Sequence, residues 1–312
     1  MSDILITGGA GFIGSHLAEA LVKRGRRVRI LDNFSTGNKH NLSHIAGDVD
    51  VIRGDIRDLE TVKKAASGAR CIYHLAAISS VLISVEDPIS TWEANVGGTW
   101  NVLEAARQNN VRRVVFASSA SVYGDRTRVP FAESVKLKGS SPYATSKLLG
   151  EQFCDLYLRL YGLETVSLRF FSVYGPRQNP KSQYSAVIPT FATLLLKGAT
   201  PTIFGSGKQT RDFIYIGDIV RAIIMAGQKK KAVGEVFNVG TGRQLSVNSL
   251  LAAIQKVLKT DITPKFAPLK PGDDPKTCAD MTKTGKVLNF SPQMTLEKGL
   301  AKTVNWFKEK YG

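Results

Sequence analysis

Tyr143 and Lys147 lie four residues apart, directly after Ser141 and Pro142. A serine that can cap and a proline that can open a helix mark a helix start, and side chains at this spacing stack on one face. The chemistry on offer is proton transfer. A free tyrosine, with a pKa of about 10, is a poor base at neutral pH, but a neighbouring ammonium favours its phenolate. Tyr-x-x-x-Lys recurs by chance in many chains. Here it follows, by one strand and helix step, the run Phe116-Ala117-Ser118-Ser119-Ala120-Ser121-Val122-Tyr123. That run leaves a strand at the carboxyl edge of a sheet, where ligands of such folds bind, and Ser119 is placed to hydrogen-bond an oxygen being oxidised.

Oxidation needs an electron acceptor, and the start of the chain supplies a place for one. Gly8, Gly11 and Gly14 fall between an apolar run and an amphipathic segment, in the order Thr7-Gly8-Gly9-Ala10-Gly11-Phe12-Ile13-Gly14. Glycine lets the backbone turn tightly and approach phosphates, while a helix N-terminus presents N–H groups and partial positive charge. This pattern predicts a dinucleotide pyrophosphate site. Asp32 ends the next apolar run, 18 residues beyond Gly14, where a carboxylate accepts from an adenosine ribose. No cation follows among Asn33, Phe34, Ser35 and Thr36 to meet a 2′-phosphate, so NAD is expected rather than NADP. Its positive nicotinamide ring would further favour the Tyr143 phenolate. Asp55 has two readings, an acceptor for the adenine amino group or a cap for a helix starting at Leu59.

The elements that must carry these residues read as βαβ units. Strand-like runs occur at Ile4 to Thr7, Val28 to Asp32, Val51 to Arg53, Cys71 to Leu75, Val114 to Ala117 and Thr165 to Phe170. Helical patterns lie between them at Phe12 to Lys23, Leu59 to Ala66, Ile89 to Gln108 and Tyr143 to Leu160. Such alternation predicts an α/β fold with a doubly wound parallel sheet. After Tyr174 prolines and glycines punctuate loops, and strands are expected only at Phe213 to Ile216 and Val236 to Val239. Residues 1–172 and 211–242 are therefore assigned to a cofactor-binding domain. Residues 173–210 and 243–312 form a smaller, C-terminal substrate-binding domain or lid.

Composition sets limits. Across 312 residues no apolar run approaches a membrane span, and a cytoplasmic protein is expected. Cys71, Cys154 and Cys278 lack metal-type spacing and do not cluster with His16, His40, His44 or His74, so neither a disulfide nor a metal site is expected. The net charge of +16 raises the question of nucleic acid. Its Lys and Arg are dispersed, without interleaved aromatics, and a solvated surface that attracts an anionic small substrate is the better reading.

Taken together, Gly8-Gly9-Ala10-Gly11-Phe12-Ile13-Gly14, Asp32-Asn33, Gly54-Asp55, His74-Leu75-Ala76-Ala77, Asn95, the serine run, Tyr143 with Lys147, the Arg169 to Arg177 segment and the Arg211 to Tyr215 segment resemble the extended short-chain dehydrogenase/reductase family. Within it the chain is most similar to nucleotide-sugar 4-epimerases of the UDP-glucose or UDP-N-acetylglucosamine type. The resemblance implies tightly held NAD, a Rossmann domain, a UDP-hexose substrate and commonly a homodimer formed through two helices per subunit. It implies cofactor contacts from Phe12, Ile13, Asn33, Ser35, Thr36 and Gly37. Further contacts are implied from Asp55, Ile56, Leu75, Ala76, Ala77, Asn95, Ser118 and Phe170, beside Tyr143 and Lys147. For the substrate it implies Ser119, Tyr143, Ser80, Ser172 and Arg211 as the leading diphosphate ligand, with Lys270, Asp273 and Thr277. Val187, Ile188, Thr202, Ile203 and Phe204 are candidates for the uracil-side wall or for ordinary core.

Related 4,6-dehydratases carry an acidic pair where this chain has Ala120 and Ser121, so dehydration is disfavoured: neither residue can protonate a leaving hydroxyl. Decarboxylation or 4-epimerisation of UDP-glucuronate stays open, because both begin with oxidation at C4. Thr277 aligns with a gate that is small in epimerases admitting N-acetyl sugars, which predicts turnover of UDP-GlcNAc and UDP-GalNAc beside UDP-glucose and UDP-galactose. Two departures from the family bear on the phosphates: Ser172 stands in place of the usual asparagine, and Lys270 in place of arginine. A non-enzymatic, dinucleotide-sensing role is disfavoured because Ser119, Tyr143 and Lys147 are all present.

Overall fold

The structure, a computed structural model, describes residues 3–126, 128–180, 186–268 and 276–311. From the N-terminus the elements run β1 (Ile4–Thr7), α1 (Phe12–Val22), β2 (Val28–Asp32), β3 (Val49–Arg53), α2 (Leu59–Ala66) and β4 (Cys71–His74). Then come α3 (Val81–Glu86), α4 (Pro88–Thr91), a π-helical turn (Trp92–Gly97), α5 (Gly98–Gln108), β5 (Arg113–Ser119), α6 (Pro142–Tyr161) and β6 (Glu164–Phe170). The rest comprises β7 (Ser172–Tyr174), α7 (Val187–Leu196), β8 (Thr202–Phe204), β9 (Thr210–Arg211), β10 (Phe213–Tyr215), α8 (Ile216–Gln228) and β11 (Val236–Val239). It closes with β12 (Leu245–Ser246), α9 (Val247–Leu258), β13 (Lys265–Ala267), α10 (Thr282–Leu288) and α11 (Leu296–Tyr311).

Seven strands form one parallel sheet in the order β11-β6-β5-β4-β1-β2-β3. The strands read as continuous apolar runs because both faces are covered. Ile4 and Ile6 face one layer, with Leu17, Leu21, Ile219 and Ile223 of α1 and α8, while Leu5 between them faces Val62, Val102 and Tyr157 of α2, α5 and α6. The chain winds outward from β1 through β2 to β3, then crosses back to β4. That reversal opens a crevice at the carboxyl ends of β1 and β4.

The strands at Ile4–Thr7, Val28–Asp32 and Val236–Val239 stand where the sequence pattern sets them, and the other main-sheet strands differ only at their ends. Two expectations need correction. The single helix expected from Ile89 to Gln108 is broken into α4, the π turn and α5, although its apolar spacing runs through. Gly98 at the junction is forced by contact, since a Cβ there would lie 2.5 Å from Ile56 Cδ1. Of the two strands expected after Tyr174, β11 returns to the main sheet beside β6, and β10 pairs with β7. After Tyr174 strands are not scarce, because β8 with β13 and β9 with β12 form two further small ladders. There α7, α9 and α11 enclose an apolar cluster of their own, including Ile188, Phe191, Leu250, Ile254, Leu300 and Phe307, so the segment is a packed unit rather than a thin lid. No helix among the described residues is long and apolar enough to cross a membrane.

Candidate active site

The residues singled out for the cofactor end adjacent strands of one sheet edge. Asp32 closes β2, Gly8 follows β1, Leu75 follows β4, Ser119 closes β5 and Phe170 closes β6. With neighbouring strands about 4.8 Å apart, this row is long enough to lie under an extended dinucleotide.

Within the row the backbone leaves room where phosphates must approach. Gly8 has φ +71°, and a Cβ on it would lie 2.7 Å from Ala76 N across the crevice. On Gly14 a Cβ would lie 2.2 Å from Gly8 O, so the turn closes only around glycine. No side chain caps the first turn of α1, where Phe12 and Ile13 sit. That end is electropositive and faces the crevice, as an anion site requires. Asp32, buried at the end of β2, accepts from Ala10 N at 2.9 Å and Phe34 N at 2.8 Å, and so also ties the glycine turn to the next loop. A Cβ on Gly37 would lie 2.8 Å from this carboxylate, which keeps its remaining lone pairs approachable. Donor set and space fit a dinucleotide with a free ribose diol.

Several side chains expected at the cofactor prove to be occupied by the protein. Asp55 is not a helix cap: Asp58 accepts from Glu60 N and Thr61 N at the start of α2. Asp55 instead holds Arg57 and accepts from Asn33 Nδ2 at 2.8 Å, and Arg57 keeps its carboxyl down at about 2. Asn95, carried inward by the π turn, accepts from Ile78 N at 2.8 Å and donates to Ile78 O and Ser146 Oγ at 3.0 Å. Its carboxamide therefore fastens the segment after β4 to α6. Ser118 points to the far face of β5 and donates to Glu151, which leaves only its main chain toward the crevice. Ile56 is core beneath α5. Ser35 and Thr36 are exposed beside Asp32, Ser35 N bonding to Asn33 Oδ1, and Ala77 is half-buried after β4.

Ser119, Tyr143 and Lys147 converge. Ser141 Oγ accepts from Ala144 N at 3.1 Å and Pro142 opens α6, which sets Tyr143 in the first turn. Tyr143 meets the Ser119 hydroxyl; burial raises its phenol above the ordinary value, and that bond works in the opposite direction. Ser119 Oγ accepts from Ser121 N at 3.2 Å and Ser121 Oγ at 3.0 Å, so its own proton is left to donate. Lys147 Nζ lies 5.9 Å from the Tyr143 ring centre, donates to Ala117 O at 2.9 Å, and is pushed down by burial to about 8. Burial, rather than the ammonium, is thus the larger influence on Tyr143 in the protein alone.

His74 was not expected to serve the site. Thr99 Oγ1 donates to Asn95 O at 2.5 Å, so it must accept from His74 Nε2–H at 3.0 Å; Nδ1 then accepts the Thr7 hydroxyl at 2.7 Å. This chain joins the glycine-loop strand to Asn95, and burial with Lys147 nearby brings His74 down to about 3, keeping it neutral. Asp212 is a second such residue. Fully buried, it accepts from Thr241, Gly242 and Ala279, tying β10 to the segments flanking the crevice.

On the substrate side, Ser80 caps α3 by accepting from Ile83 N. Ser172 opens β7, its N–H donating to Asp212 O at 2.9 Å. Thr277 is buried and its N–H donates to Thr210 O at 3.1 Å, which sets it beside Arg211; Arg211 Nη1 donates to Thr210 O at 2.9 Å. Of the proposed wall, Ile188 and Ile203 are core, whereas Val187, Thr202 and Phe204 are half-buried. Lys270 and Asp273 lie outside the described residues.

Glycine turn, uncapped helix and the meeting of Ser119, Tyr143 and Lys147 define a dinucleotide-dependent enzyme acting on a carbon-bound hydroxyl. The chain belongs to the NAD-dependent epimerase/dehydratase family, whose pattern matches residues 4–240, and its cofactor is NAD. A UDP-glucose 4-epimerase of Mycolicibacterium smegmatis is 40% identical over 311 residues, 98% of each chain. A UDP-N-acetyl-alpha-D-glucosaminuronate decarboxylase of Bacillus cytotoxicus is 37% identical, over 98% of this chain and 97% of that one. Among solved structures, a UDP-N-acetylglucosamine 4-epimerase from Methanobrevibacter ruminantium M1, in complex with UDP-N-acetylmuramic acid, superposes with a TM-score of 0.95 at 36% identity, covering 99% of both chains.

Proposed function

We propose that the protein interconverts UDP-hexoses epimeric at C4, through a transient 4-keto sugar. The carrying observation is the convergence of Ser119, Tyr143 and Lys147 at a sheet edge whose next two residues, Ala120 and Ser121, carry no acid. When bound, NAD supplies the hydride acceptor and donor at C4. Gly8, Gly11 and Gly14 with the α1 N-terminus hold its pyrophosphate, and Asp32 holds its adenosine ribose. Tyr143 accepts the proton of the 4-hydroxyl, Ser119 donates to the same oxygen, and Lys147 supports the phenolate by its charge. The protonated Tyr143 returns its proton once the sugar has presented its other face. Firm anchoring then belongs on the nucleotide, with Arg211 as diphosphate ligand because a guanidinium offers forked donors.

Residues 1–172 and 211–242 form the NAD-binding unit in this reading, and residues 173–210 and 243–312 hold the nucleotide-sugar. Small Thr277 admits an N-acetyl group, and Thr277→Tyr is expected to abolish turnover of UDP-GlcNAc while sparing UDP-glucose. Val85, Ile89, Trp92, Trp100, Leu160 and Tyr161 are exposed along α3 to α6, which supports a homodimer formed through these helices.

The test is incubation with UDP-glucose, UDP-GlcNAc, UDP-glucuronate and dTDP-glucose, with products read by NMR. C4 epimers of the UDP-hexoses are expected. A pentose from UDP-glucuronate, or a 6-deoxy-4-keto sugar from dTDP-glucose, as the main product would overturn this reading. No change in nicotinamide absorbance with any sugar in a single turnover would favour a non-enzymatic role.

A further inference from the structure

Three consecutive residues at the end of β5 are each bound to a different turn of α6. Ser119 meets Tyr143, Ala117 O accepts from Lys147 Nζ, and Ser118 Oγ donates to Glu151 Oε1. Tyr143, Lys147 and Glu151 recur at intervals of four, so they form one stripe along the helix. The helix rests directly on the strand here: a Cβ on Gly150 would lie 2.3 Å from the Phe116 ring.

The first two contacts belong to the site already described, and the third leads away from it. Glu151 receives Arg169 of β6 through both carboxylate oxygens, from Nε at 2.9 Å and Nη2 at 2.7 Å. Arg169 Nη1 in turn donates to Tyr123 Oη at 2.9 Å and Glu133 O at 3.2 Å, and Tyr123 Oη donates to Asn238 Oδ1 at 2.7 Å on β11. Ser118, Tyr123, Glu151, Arg169 and Asn238 are all buried. Ser119, the last residue of β5, caps the 3-10 turn Ala120–Tyr123, so Ser118 and Tyr123 bracket Ser119 and Ser121 in the chain. One ion pair thus grips both ends of the catalytic turn.

Apolar packing would fill this space without loss of stability, but it is non-directional and permits sliding, whereas a bidentate pair fixes a register. Register matters here, since a shift of about 1 Å in a reacting group can cost about a hundredfold in rate.

We propose that Glu151 and Arg169 are positioning residues, whose buried clamp on Ser118 and Tyr123 holds the Ser119 hydroxyl in reach of Tyr143 and of the reacting oxygen. The proposal rests on the catalytic reading of Ser119 and Tyr143. It is tested with Ser118→Ala, Ser118→Thr and Tyr123→Phe. Five quantities are read: NAD content, kcat and KM for UDP-glucose, melting temperature, and the ionisation of Tyr143 by ultraviolet difference absorbance against Tyr143→Phe. In Ser118→Ala, NAD content and KM should stay at the parent level while kcat falls by about tenfold or more. Tyr143 should ionise at higher pH, and Ser118→Thr, which keeps the hydroxyl, should recover most of the loss. A folded Ser118→Ala protein with parental kcat and parental Tyr143 ionisation overturns the clamp. If that variant does not fold, Tyr123→Phe, which releases the other end of the turn and keeps the ring, is judged by the same readings. A parent protein inert on every nucleotide-sugar would remove the catalytic reading instead, and the Tyr143 titration would still decide the clamp.

Discussion

Two cations are buried around the end of β5, and they are treated in opposite ways. Arg169, beneath the strand end, has a carboxylate on two of its nitrogens and further acceptors in Tyr123 and Glu133. Lys147, at the crevice, has one carbonyl and the rings of Phe116 and Tyr143, and among the described residues no carboxylate pairs with it. Pairing makes Arg169 a fastener whose charge is cancelled where it stands. Leaving Lys147 unpaired costs stability but keeps its field available to Tyr143. A group whose charge must act on a substrate cannot spend that charge on a neighbour.

Replacement at each cation should therefore break the protein in a different way. Lys147→Met should lower kcat by about 10²- to 10⁴-fold. The same change should stabilise the fold at neutral pH, because the ammonium is depressed from 10.5 to about 8 by burial. The sign follows from proton counting: between those values the unfolded chain holds a proton that the folded one does not, so stability rises with pH there and is lost as pH falls through about 8. The gain should be about 1.4 kcal/mol for each unit of depression, read as a higher urea midpoint. A Lys147→Met protein less stable than its parent would collapse the contrast.

Arg169→Leu should do the reverse, destabilising by about 3–5 kcal/mol because Glu151 is left as an uncompensated buried charge. Urea unfolding measures this, and loss below about 1 kcal/mol would mean that the pair carries no such burden.

A third buried group sharpens the comparison by being neutral. His74 is brought from 6.5 down to about 3, so its contribution to stability is whole above pH 6.5 and is lost as pH falls through about 3. His74→Asn should remove about 1.4 kcal/mol per pH unit from the acid-side slope, visible in urea midpoints taken between those limits. The slope due to His16, brought to about 4 by burial and Arg177, should remain. The smallest effect belongs to an exposed pair on the same helix. Arg159 Nε lies 2.8 Å from Asp155 Oδ2, and Arg159→Ala should change stability by no more than about 0.5 kcal/mol.

The parts of the site legible in the sequence share one property: their chemistry is local. Ser141 and Pro142 announce the start of α6, and a spacing of four sets Tyr143 over Lys147 whatever surrounds the helix. Asp55 and Asp58 show where local reading stops: Asp58, directly before Leu59, is the cap, and the partners of Asp55, Arg57 and Asn33, are set by the fold. Asn95 shows no sign in the sequence of being a fastener, because a π turn hidden within apolar spacing turns it inward. Alternation along β5 sends the Ser118 side chain to the opposite face from Ser119, onto Glu151, which continues the stripe of Tyr143 and Lys147 by one further turn.

By itself the sequence determined the doubly wound sheet, the glycine turn, the carboxylate at Asp32 and the proton-transfer pair, because turns, caps and periodicity are settled within a few residues of chain. The tertiary structure alone decided how much charge each buried group keeps. The sequence marks Lys147 by its spacing from Tyr143 but shows no partner for it or for Arg169, and only the crossing of α6 over β5 and β6 gives one a carboxylate and withholds it from the other. Desolvation and pairing depend on what lies across space, and that is where a cation becomes either a fastener or a reagent.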